Sequence, residues 1–121
     1  MENFRRFEAT DPYGRLWQVE FRWQQNAITI RHSDAVDVKF QIRQGDEVTE
    51  KVIAIDSPHL VALSRKTGHP ITDALVSRLA ALHLKEMIET DRDMEKTLVT
   101  TIPADLERYS ALVDSAVPAK Q

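Results

Sequence analysis

The sequence predicts an α+β fold: an N-terminal antiparallel β-meander of four to five strands packed by two to three C-terminal helices. Three observations predict it. Apolar residues recur at every second position through the first half, the period changes to a helical one at Asp56-Ser57-Pro58, and the links between successive strands are too short for crossovers.

Residues 4 to 10 read as a short first strand, closed by the turn sequence Asp11-Pro12-Tyr13-Gly14. In LWQVEFRWQ, Trp17, Val19, Phe21 and Trp23 share one side, opposite Gln18, Glu20 and Arg22. That alternation assigns the aromatic side chains to a core face, and not to a stacking platform for bases or sugars. Gln25-Asn26 reads as a tight turn into AITIRHS, where Ile28 and Ile30 share a face. VDVKFQIR then places Val36, Val38, Phe40 and Ile42 together, and Gly45-Asp46 makes a hairpin turn. EVTEKVIAID ends the meander. Its stretch from Val52 to Ile55 is apolar on both sides, as expected under a covering helix.

Asp56 or Ser57 caps a first helix that accepts Pro58 in its first turn, and Gly68 ends it in a left-handed conformation. Pro70 opens a second helix running to about Thr90. There Val76, Leu79, Ala80, Leu82, His83, Leu84, Met87 and Ile88 spread over most of the circumference, leaving Arg78, Lys85 and Glu89 as a narrow polar stripe. Such a helix requires burial on more than one side. TLVTTI reads as an added strand or an extended connector. Pro103 opens a last amphipathic helix with Leu106, Tyr109, Leu112, Val113 and Ala116 on its apolar side. Residues 1–117 are one domain in this reading, and 118–121 a frayed tail.

The chain has 121 residues, 42% hydrophobic and 29% charged, enough for one domain with a real core. No run approaches the roughly 20 apolar residues of a membrane span, and MENFRRFEAT lacks the apolar segment of a secretory signal. The absence of cysteine removes disulfides, thiolate metal sites and thiol nucleophiles. A cytoplasmic protein without membrane association is expected. The formal charge of −3 argues against a binder that relies on concentrated Lys and Arg.

Candidate chemistry centres on two histidines. His69, between Gly68 and Pro70, lies where free amides at the start of a helix favour an anion. His83 lies in the apolar arc of the second helix, where it needs a hydrogen-bond partner such as Tyr109 or acts as a ligand-binding group. The histidines form no His-x-His or His-x-x-x-His pair. Asp91-x-Asp93-x-Glu95 fails as a calcium loop, with Lys96 at the glycine position and Ile102 at the closing glutamate. No serine stands in Gly-x-Ser-x-Gly. No metal, cofactor or catalytic residue is therefore expected.

Residues 51–82, KVIAIDSPHLVALSRKTGHPITDALVSRLAAL, resemble the ribbon-helix-helix segment of small bacterial antitoxins and repressors. The likeness lies in a strand, a first helix ending Lys66-Thr67-Gly68, and a second opening Ile71-Thr72-Asp73-Ala74-Leu75. The resemblance implies that two chains pair these strands and insert them into the DNA major groove. Thr49, Lys51 and Ile53, or their alternates, would then face DNA, with Thr72 near a phosphate. A strand already paired within the meander is not available for that role.

Three functional classes follow. The first is a non-catalytic interaction or assembly module, a homodimer or a binder of another protein, using the second apolar side of the long helix at Leu82, Leu84 and Ile88. The second is the DNA-binding regulator that the resemblance implies, and only this class binds nucleic acid. The third is a small-molecule-binding protein or enzyme with a pocket near His83.

Overall fold

In the computed structural model residues 4–28 and 34–116 are described, and they form the α+β architecture. One sheet carries five strands in chain order: β1 (Arg6–Thr10), β2 (Leu16–Ile28), β3 (Asp34–Gln44), β4 (Glu47–Asp56) and β5 (Leu98–Thr100). Helices α1 (Ser57–Thr67) and α2 (Asp73–Thr90) lie between β4 and β5, and α3 (Pro103–Ala116) follows. The first four strands are antiparallel neighbours, whereas β5 pairs parallel with β4 after the crossover through α1 and α2. No helix among the described residues is long and apolar enough to cross a membrane.

The first turn is built around one carboxylate. Asp11 Oδ1 accepts from the Tyr13 and Arg15 amides, each at 2.9 Å. Its Oδ2 accepts from Arg15 Nε at 2.6 Å and from the Trp17 indole at 3.0 Å. Burial pushes this carboxyl up, but the converging donors outweigh that and hold its pKa at about 2. Gly14 completes the turn at φ +82°, a left-handed conformation that glycine adopts without strain.

Directly opposed residues share a face of the sheet. Val19, Val38, Phe40, Ile42, Ile53 and Ile55 are all buried on the face that the helices cover. Leu79, Leu84, Met87 and Ile88 of α2 are fully buried against that face and α3. Each such side chain contributes roughly 1.5–3 kcal/mol of hydrophobic stabilisation. The second apolar side of α2 is thus filled within one chain, by Leu106 and Tyr109 of α3.

Four sequence expectations change. Gln25-Asn26 is not a turn: β2 continues through both residues, which pair with Asp37 and Val36, so AITIRHS as far as Ile28 is the end of β2. Ile30 and His32 lie outside the described residues. Pro70 does not open α2, because the Thr72 hydroxyl caps it, accepting from the Leu75 amide at 3.1 Å. In α3, Leu112 is exposed, unlike Leu106 and Tyr109. Finally, Trp23 leaves the core face. The β2–β3 register shifts between Phe21 and Trp23, so one extra residue on β2 turns every later side chain over. Two other expectations hold, since Gly68 ends α1 at φ 79° and TLVTTI supplies β5, whereas Asp56 stands at the start of α1 without a side-chain capping bond.

Candidate functional site

The bulge shapes the other face of the sheet, where Trp23, Arg43, Glu50 and Leu98 are exposed and Ala35 and Ala54 are buried. Before it, Phe21 stands opposite Phe40 on the covered face, the two rings edge-on with centroids 6.0 Å apart. After it, Gln24 points inward, bonded to Ser77 and, at 3.3 Å, to Asp73 of α2. Trp23 points outward opposite Lys39, whose ammonium sits 5.4 Å from the centre of the indole. Register then places Trp23, Lys39, Val52 and Leu98 in one row across β2, β3, β4 and β5. Trp23 is 37% exposed and Leu98 52%, so the two ends of the row are exposed apolar side chains, separated by Lys39 and Val52.

Two polar rows cross the same face beside it. The first runs Arg6, Glu20, Gln41, Glu50, and the second Glu8, Gln18, Arg43, Val48. Their members on β1, β2 and β3 line a shallow cleft of about 620 Å³. Glu20 holds Arg6 and Arg22, each at 2.9 Å, and hydrogen bonds from Arg22 and Arg6 lower its pKa. Leu16, exposed beyond the second row, closes the patch at its far end.

The second candidate region is buried between α2 and α3. His83, 2% exposed, meets the Tyr109 hydroxyl through Nδ1 at 2.8 Å. Tyr109 donates its single proton to Glu86, so His83 Nδ1 carries a hydrogen and donates to the Tyr109 oxygen. Nε2 is then the bare acceptor, buried without a partner among the described residues. Arg108 binds both Glu86 oxygens at 2.8 and 2.6 Å and Asp105 at 3.0 Å, which closes the network. Burial pushes the His83 pKa down, against the pull of Asp105 at 3.9 Å, so the imidazole is held neutral. Burial pushes the Glu86 carboxyl up, but the bonds from Tyr109 and Arg108 prevail and keep it ionised. Burial, and then the bond to Glu86, raises the Tyr109 hydroxyl. Among three surface clefts of about 620, 680 and 250 Å³, none has His83 in its lining.

The other sequence candidates are dispersed. His69 is exposed, and its backbone serves the joint: its amide donates to Thr67 Oγ1 at 3.2 Å and its carbonyl accepts from Ser64 Oγ at 2.6 Å. Thr72 is committed to the cap of α2. Lys51 is only 6% exposed, on the covered face, and donates to the Met94 and Lys96 carbonyls. Burial pushes its pKa down, against nearby Glu95. Thr49 is exposed beside it, Ile53 is fully buried, and the alternates on the open face include the acidic Glu50. From Val52 to Ala54, β4 is paired on both sides. Leu84 and Ile88 are fully buried and Leu82 half-buried, so the expected interface on α2 is not a surface: α3 occupies it. Among the described residues no three His, Asp or Glu side chains converge as metal ligands would.

Trp23, Leu98 and Leu16 are what reading the sequence missed. Unbroken alternation places Trp23 inside, and nothing in FRWQQN marks the bulge. Compared with family models, curated proteins and solved structures, the chain matches none.

Proposed function

We propose that this chain is a non-catalytic interaction module that assembles as a homodimer through the sheet face that exposes Trp23 and Leu16. One observation carries the reading: the row Trp23–Lys39–Val52–Leu98, apolar at both ends, lies on that face with charged rows beside it. Aromatic and aliphatic side chains ringed by polar ones are the usual composition of a protein contact. Pairing inside the chain supports a non-catalytic role. His83, Glu86, Asp105, Arg108 and Tyr109 bind one another, and Lys51 binds two backbone carbonyls. Cytoplasmic residence goes with the proposal, and cell fractionation reads it out.

The test is native mass spectrometry of the purified protein over a range of concentrations. A bare dimer that grows with concentration, and recedes in Trp23→Asp, is the expected result. A monomer carrying a metal or small molecule overturns the proposal and directs attention to His83.

A further inference from the structure

Resting on that homodimer reading, we infer that the two copies meet sheet to sheet about a two-fold axis that crosses the strands between the two polar rows. The observation is self-complementarity. Such an axis keeps each strand over its counterpart and exchanges the rows. Arg6 then faces the second copy's Glu8, and Glu8 its Arg6. Glu20 faces Gln18, a carboxylate against an amide donor, and Gln41 faces Arg43. One row further out, Trp23 faces Leu16, so the two exposed apolar residues of β2 cover each other twice. The match is poor on β4 and β5, where Glu50 faces Val48, Val52 faces Asp46 of the turn and Leu98 has no counterpart on the short β5.

The alternative axis, along β2, fails on charge because it stacks Glu20 on the second copy's Glu20. The β4 edge is also a poor meeting place, since Glu47 and Glu50 bring acid to acid and its lysine, Lys51, is buried. The cleft of about 620 Å³ leaves room between the sheets for the long Arg, Glu and Gln side chains that line it. A patch of four strands and eight residues covers on the order of 500 Å² at about 4.8 Å per strand and 3.3 Å per residue. That is less than the roughly 800 Å² per partner of a standard interface, so the dimer exchanges and its population follows concentration.

Two charge reversals test the axis, because each contact occurs twice. Arg6→Glu alone places acid on acid at both ends, and Glu8→Arg alone places base on base. Each variant is expected to self-associate at least about tenfold more weakly than the parent. Mixed together they restore both Arg–Glu contacts, and the heterodimer is expected to outnumber either homodimer in a native mass spectrum. Trp23→Asp and Leu16→Asp are each expected to weaken the dimer as well. Circular dichroism checks that the variants fold, and all four positions are exposed or partly so.

If the parent dimerises and the charge variants do so equally well, the contact lies elsewhere; the axis falls and the homodimer stands. If the charge pair behaves as expected but Trp23→Asp and Leu16→Asp change nothing, the copies meet at their β1 edges and the facing arrangement is overturned. A parent that stays monomeric at millimolar concentration removes both.

Discussion

The two faces of the sheet do different work, and β2 contributes to both. On the covered face Phe21, itself half-buried, packs edge-on against the fully buried Phe40; two residues on, Trp23 lies over Lys39 in partial contact with water. Both belong to the same alternating run, and the bulge between them separates a stability residue from a surface residue. Their difference teaches that an aromatic side chain in a strand declares burial only relative to a register, and the partner strand fixes that register.

The largest effect that would break this comparison is in α2. Ile88→Ala removes a fully buried side chain and is expected to lower stability by about 2–5 kcal/mol in urea denaturation, with no change in association. A neutral result together with a changed oligomeric state would return the interface to the helix. Next comes Tyr109→Phe, which deletes the hydroxyl joining His83 to Glu86 and is expected to lower stability by about 1–3 kcal/mol. Tyr13→Phe, at a highly exposed position, is the control and should be neutral.

Acid sharpens the contrast, since His83 and Asp11, two of the groups with lowered pKa, titrate in separate windows. The folded pKa of His83 lies below its ordinary 6.5, so as pH falls through 6.5 the unfolded chain takes up the proton first and stability declines. Asp11 acts lower. Its contribution is complete above the ordinary 3.8 and is lost as pH falls to about 2. In chemical denaturation against pH, His83→Gln should remove the first decline and Asp11→Asn should reduce the second, to which Glu20 and Glu86, also lowered, contribute. The smallest effect is on the open face. Trp23→Ala should change stability by no more than about 0.5 kcal/mol. Acrylamide should quench Trp23 more than the half-buried Trp17, as read in single-tryptophan variants.

The sequence by itself determined much of this protein, because local periodicity and turn chemistry are local physics. The α+β class, the meander, the Asp11–Gly14 turn, the left-handed stop at Gly68 and the demand of α2 for burial on two sides all follow from near neighbours. His83 was legible as a buried imidazole in need of a partner, and Tyr109 supplies it. Tertiary structure alone decided the rest. Whether α3 or a second copy would fill the far side of α2 depended on how the last helix returns. Lys51 is a DNA-facing candidate in the ribbon-helix-helix resemblance until the connector at Met94 and Lys96 folds over it. Trp23 reads as core until β3 sets its register. A bulge changes no residue: it changes only which backbone groups pair, and pairing between strands is a property of two segments that neither carries alone.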